Sequence, residues 1–160
     1  KYFATKHLLN LYKKKKFPCT ILRLYQVFGP KQDQNRFIPV VIKNSLSNKV
    51  FNVSAGNQKR DFLYVDDVVS AVIKCLTNKK SKGEIFNVGY GKALKIKKIF
   101  LLIVKMCKGG SPTYGKINLR KEENLITYPS INKIKRLLKW KPKYIFFDAL
   151  EKTIKLYEKK

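Results

Sequence analysis

The sequence predicts an α/β fold from three observations. Short apolar runs rich in β-formers alternate with stretches of helical periodicity, glycine and proline punctuate the joins, and the apolar content is high enough for a packed core. Of 160 residues, 44% are hydrophobic and 12% aromatic, which separates the chain from disordered sequences that cannot bury enough surface to fold.

Taken in order, Tyr2 to Lys15 places Leu8, Leu9, Leu11 and Tyr12 along a helix and ends in lysines that suit the negative end of its dipole. Phe17-Pro18 stops it. Cys19 to Val27, CTILRLYQV, has the length and composition of a strand buried in a parallel sheet, and Gly29-Pro30 closes it. Phe37 to Leu46 is helix-like and Val50 to Ser54 strand-like, and Gly56-Asn57 turns the chain into a strand from Asp61 to Val65. Asp66 and Asp67 open the next helix, whose expected apolar face is Val68, Val69, Val72, Ile73 and Leu76. Glu84 to Val88 reads as a strand ended by Gly89, and Ile96 to Cys107 as a helix ended by Gly109-Gly110. Two more helices are expected, from Ile131 to Leu138 and from Phe147 to Tyr157.

The formal net charge is +26, from 36 Lys+Arg against 10 Asp+Glu, a balance that raises nucleic acid or an anionic membrane as partners. The lysines, however, recur along the whole length, at 13–16, at 79–80, between 95 and 98, between 133 and 143 and at the C-terminus. That spread weighs against nucleic acid and towards solvated faces, with a basic polynucleotide-binding module kept as the alternative. Lysines also interrupt every apolar stretch before it reaches membrane-spanning length, and no signal peptide is visible, so no membrane partner is expected and the chain reads as soluble and cytoplasmic. Cys19, Cys75 and Cys107 are odd in number and set in apolar contexts, as expected of buried thiols in a reducing compartment. With one histidine, His7, and no ligand spacing, no metal site is expected. The chain opens on Lys1 and its only methionine is Met106, which leads to the expectation of a missing upstream portion.

Tyr2 and Lys6 form Tyr-x-x-x-Lys, a spacing that sets a phenol and an ammonium on one helix face. A nearby cation favours phenolate, the state suited to exchanging protons with a sugar hydroxyl or ketone. The order of motifs around this pair resembles the second half of the extended short-chain dehydrogenase/reductase family, the NAD-dependent epimerases and dehydratases that modify sugar nucleotides. Tyr2-Phe3-Ala4-Thr5-Lys6 resembles its catalytic helix, and Cys19 to Pro30 its next strand and Gly-Pro turn. Asn35 to Pro39, Gly56 to Asp67, Phe86 to Gly89 and Arg136 to Pro142 resemble its later motifs in the right order, so the resemblance covers nearly the whole chain.

The resemblance implies the C-terminal part of a Rossmann-type doubly wound sheet with a smaller, discontinuous substrate domain. Residues 1–30 would end the NAD(P)-binding core and residues 31–160 form a nucleotide-sugar-binding region, with 61–89 returning to the Rossmann sheet. Tyr2 would transfer the proton, Lys6 would assist it and contact the nicotinamide ribose, and Tyr25 would line the nicotinamide end of NAD or NADP. Gln26 would contact the sugar, Arg36 and Phe37 would pack the nucleotide, and Arg60 would grip the substrate pyrophosphate. The implied partner is a nucleotide-diphosphate sugar, with homodimerisation allowed for the intact enzyme. Hydride transfer at a sugar carbon is the implied reaction class, with epimerisation, dehydration and reduction all open.

Some positions depart from the family pattern: Gln26 stands where Asn is frequent, Asn10 where Glu is common and Ser130 where Asp is frequent. The Gly-rich turn that seats the dinucleotide pyrophosphate is missing, and Gly89-Tyr90-Gly91 lacks the third glycine. These 160 residues by themselves are therefore expected to be inactive. A non-catalytic remnant of a truncated gene is the remaining alternative. Asp66 and Asp67 are read as helix capping and loop bracing, and Arg60 as a phosphate ligand in preference to an ion pair with Asp61 or Asp66.

Overall fold

The computed structural model describes residues 1–158 and is a mixed α/β structure with mostly parallel strand pairs. Helix α1 (Tyr2–Lys15) forms over the expected residues, with Lys13, Lys14 and Lys15 in its last turn. Where a single strand is expected there are two, β1 (Ile21–Leu24) and β2 (Gln26–Phe28), broken at Tyr25. Helix α2 (Phe37–Leu46), β3 (Val50–Asn52), β4 (Lys59–Arg60) and β5 (Phe62–Tyr64) follow, then α3 (Val65–Thr77), β6 (Ile85–Val88), β7 (Leu94–Lys95) and α4 (Ile96–Cys107). The chain continues through β8 (Ser111–Thr113), β9 (Ile126–Thr127), α5 (Asn132–Leu138) and α6 (Phe146–Glu158). Lys159 and Lys160, which contribute to the expected C-terminal charge, lie outside the described residues.

The break at Tyr25 arises because the two halves of the segment find different parallel partners. β1 pairs with β6, setting Leu22 opposite Phe86, whereas β2 pairs with β5, setting Val27 opposite Leu63. The expectation of a fully buried strand is also corrected. β1 is half-buried at Ile21 and Leu22 and exposed at Arg23 and Leu24, and its second edge has no strand partner among the described residues. β7, β8 and β9 have no counterpart in the sequence reading, because two or three residues carry no alternation and each strand exists through its long-range pairing.

Two apolar cores result. One joins Phe28, Phe62 and Tyr64 to Ile38, Ile42, Ile99, Ile103 and Leu150, which packs α2, α4 and α6 around β2 and β5. The other joins Leu63, Ala71, Phe86 and Val88 to Ile134, Leu138 and Trp140, which packs α3 and α5 against β6. In α3 the fully buried stripe is Asp67, Ala71 and Cys75; of the expected face only Val68 packs, half-buried, against the core, and Val69, Val72, Ile73 and Leu76 are exposed. Small side chains at i, i+4 and i+8 let the helix lie against β5 and β2, while Val69, Ile73 and Leu76 face outwards, Leu76 at 80% exposure. Cys75 is buried and Cys19 and Cys107 are partly so, all three free, and burial aided by Glu158 pushes the Cys107 thiol up to about 11. No helix of the described residues is long and apolar enough to cross a membrane.

Asp67 braces the fold across a long separation. Its carboxylate accepts the backbone N–H of Lys143 at 2.8 Å and of Tyr144 at 3.2 Å, tying the start of α3 to the approach of α6. The helix makes no side-chain cap bond, so of the two expected roles for this pair, bracing is the one Asp67 performs. Asp67→Ala removes the charged acceptor from two part-buried amides and is expected to cost about 2 kcal/mol in urea unfolding, with faster hydrogen exchange at the Lys143 and Tyr144 amides. Unchanged stability would show that the brace carries no weight.

Candidate functional site

Arg60 is placed by a short strand in the middle of three. β4 runs antiparallel to β7 and parallel to β9, so that Arg60 lies opposite Leu94 on one side and Thr127 on the other. The loop before it is fixed by the first turn of α4: Ile96 donates its N–H to the Gln58 carbonyl and Lys97 to that of Gly56, each at 2.9 Å. These bonds satisfy donors that a helix start leaves free. Gly56 has φ +69°, and a Cβ there would stand 2.8 Å from the Lys97 backbone nitrogen, so both the conformation and the contact call for glycine.

Asp61 secures the other side. It is fully buried, and its carboxylate accepts the backbone N–H groups of Tyr90 at 2.8 Å, Gly91 at 2.6 Å and Lys92 at 3.1 Å. Burial pushes the Asp61 carboxyl above its ordinary value, while the three amides pull the other way. The Gly89-Tyr90-Gly91 turn is thus a ring of converging amides already filled by a carboxylate of the same chain. A side chain at Gly89 would collide with Pro129 and crowd Asp61 Oδ1 at 2.8 Å.

Beside Arg60 opens a cavity of about 460 Å³, walled by Phe37 and Val41 of α2, Phe51, Val53 and Phe62, with Gln26 and Gln58 among its polar groups. The Phe37 ring is held between Phe62 and Phe100, with centroids 5.8 and 5.2 Å away, and so forms a fixed wall. An adjoining cavity of about 410 Å³ shares Gln26, Phe37 and Phe62 and adds Tyr25 and Arg36. Gln26, Phe37 and Arg60 therefore meet in one cavity, and Tyr25 and Arg36 lie next door. Tyr2 and Lys6 occupy successive turns of α1, but neither contributes to these walls, and Tyr2 is 71% exposed with its ring edge-on to Phe3 at 5.5 Å.

Arg60 is paired with neither Asp61 nor Asp66. Its Nη2 donates to Glu123 Oε1 at 2.6 Å, across 63 residues, and its Nη1 donates to the Lys59 carbonyl at 2.8 Å and the Leu125 carbonyl at 3.4 Å. Glu123 and Arg120, both on the cavity wall, were not anticipated from sequence. The run Arg120-Lys121-Glu122-Glu123 reads only as a polar loop, and nothing local reveals that it folds over Arg60.

The sequence model of the NAD dependent epimerase/dehydratase family matches residues 1–89. The chain belongs to that family. It is 32% identical over 139 residues to the CDP-abequose synthase of Salmonella muenchen, an alignment that covers 86% of this chain and 47% of that protein. Among solved structures, it superposes on the UDP-glucose 4-epimerase of Thermotoga maritima, determined with UDP-glucose, with a TM-score of 0.91 and 26% identity over 99% of this chain and 52% of that one. The dTDP-glucose 4,6-dehydratase of Bacillus anthracis, in complex with NAD, gives a TM-score of 0.87 at 26% identity, covering 98% of this chain and 50% of that one. The chain spans about half the length of the relatives it matches. These Rossmann-type relatives agree with its parallel strand pairs.

The Asp61 brace is open to a direct test. Asp61→Asn keeps the shape but removes the charge and sets an amide NH2 against backbone donors, so a loss of about 2 kcal/mol in unfolding free energy is expected, with faster exchange at the amides of residues 90–92. Wild-type stability and exchange would contradict the brace.

Proposed function

We propose that this chain is the nucleotide-sugar-binding half of an NAD(P)-dependent enzyme that modifies a sugar nucleotide by hydride transfer at a sugar carbon. The observation that carries the reading is the meeting of Gln26, Phe37 and Arg60 in one cavity, drawn from three separate segments. A planar guanidinium pairs two phosphate oxygens at once, the rigid apolar walls suit a ring system, and Gln26 both donates and accepts towards sugar hydroxyls. A ligand filling both cavities runs from a phosphate end at Arg60 to a sugar end at Gln26 and Tyr25. Tyr2 then moves a proton at its hydroxyl to or from the sugar oxygen, with Lys6 one turn away presenting a cation on the same helix face.

The nicotinamide cofactor supplies the hydride acceptor and donor when bound. The glycine turn at 89–91 does not fit its pyrophosphate, because Asp61 fills the converging amides there. Tyr2, Lys6 and Tyr25 suit the nicotinamide end alone, so the rest of the dinucleotide needs polypeptide outside these residues. In this reading residues 1–30 and part of 61–89 belong to the cofactor-binding sheet, a division supported by the pairing of β1 with β6. The free edge of β1 and the outward stripe of α3 are surfaces the remaining half would cover. Three unpaired cysteines fit a reducing compartment such as the cytoplasm.

Two substitutions separate the assigned roles. Arg60→Ala is expected to weaken binding of UDP-glucose, dTDP-glucose or CDP-glucose by tenfold or more in calorimetry, the order of one charge-assisted phosphate contact. Tyr2→Phe should leave that binding unchanged and, in an enzyme that includes the missing half, lower kcat. Weakened binding in Tyr2→Phe with no effect of Arg60→Ala would reverse the assignment.

A further inference from the structure

We infer that Glu123 latches a strap over the cavity and that an anionic ligand opens the latch by taking Arg60 from it, an inference that rests on the reading of Arg60 as a phosphate ligand. The strap is anchored at both ends. At its start, Lys116 and Ile117 donate their N–H groups to the Val53 carbonyl at 3.0 and 3.2 Å, and at its end Lys59 donates to the Leu125 carbonyl at 2.7 Å and β9 pairs with β4. Between these anchors, residues 118–124 have one hydrogen-bonded tie to the rest of the described residues, the 2.6 Å ion pair from Arg60 to Glu123. The same stretch forms part of the cavity wall through Asn118, Leu119, Arg120 and Glu123.

The energetics favour selection by charge. The Arg60 and Glu123 side chains are only 12% and 29% exposed, so their attraction is less screened than that of a surface pair. A monoanion offers Arg60 about what Glu123 already gives it, and gains little by exchange. A diphosphate brings more charge and several acceptor oxygens, and can engage Arg60 while Arg120, on the loosened strap, adds a second cation. Glu123 thus sets a threshold that favours diphosphates over monoanions and couples their binding to movement of residues 118–124.

The test compares wild-type protein with Glu123→Gln, using inorganic pyrophosphate and inorganic phosphate as probes. Glu123→Gln should bind pyrophosphate roughly tenfold more tightly, the difference between displacing a charged and a neutral partner, and should discriminate less against phosphate. Hydrogen exchange at 118–124 should rise in wild type when pyrophosphate is added and be raised in Glu123→Gln without it. Glu123→Ala, which removes the carboxylate without adding an amide, should repeat the tightening. Equal or weaker pyrophosphate binding in both variants, or strap exchange that pyrophosphate leaves unchanged, overturns the latch while leaving Arg60 as an anion site. Absence of pyrophosphate binding in all three proteins overturns the phosphate role of Arg60, and the latch with it.

Discussion

Asp61 sits between a residue that faces the cavity and a residue that faces the core, and its carboxylate is the fixed point from which both are aimed. Arg60 lies on a strand of two residues, too short to hold a long side chain in place by its own ladder. Three backbone amides from the turn after β6 close on Asp61, and this joins the β4–β5 junction to an element about thirty residues away. On one side of this anchor the guanidinium enters the cavity. On the other, Phe62 packs against Phe28 and Phe146 in the larger core and also walls the cavity. A buried carboxylate is costly unless fully hydrogen-bonded, so the turn at residues 89–91 is committed to this role.

That commitment bears on cofactor chemistry. Converging amides at a glycine turn are the kind of structure that binds a phosphate, and here the chain has filled it with its own anion. In the proposed reading the residues that remain for chemistry divide into a nucleotide end, built around Arg60 and Phe37, and a helix carrying Tyr2 and Lys6, neither of which lines the two cavities described above. Nothing in α1 is buried, which leaves its orientation resting on half-buried contacts such as Tyr12 against Gly83. The lysines of the described residues are nearly all exposed and are spread over helices, turns and loops alike, so the +26 charge gives a positive field around the whole protein more than a defined binding stripe.

Much of the fold was legible in the sequence. The helices from Phe37 to Leu46 and from Ile96 to Cys107 have the expected bounds, because long apolar periodicity fixes them locally. The face of α3 was misread for a physical reason. Val69, Val72, Ile73 and Leu76 point outwards while Asp67, Ala71 and Cys75 are buried, so size and hydropathy indicate the wrong side for most of the helix. The split at Tyr25 and the strands of two or three residues depend on partners far away in sequence, which no local pattern encodes. The motif around Arg60 singled out that residue, but its partner Glu123 lies in a charged loop with no periodicity, and only the folded chain brings the two together.

The proposed division, with nucleotide-sugar binding in these residues and most of the cofactor site outside them, is tested most directly by calorimetric titration of the 160-residue chain with a nucleotide-diphosphate sugar and, separately, with NAD+ and NADP+. Binding of the sugar nucleotide is expected, abolished or strongly weakened by high salt and by loss of Arg60, with no binding of either dinucleotide in the micromolar range. Micromolar binding of NAD+ or NADP+ by this chain, with none of the sugar nucleotide, would contradict it.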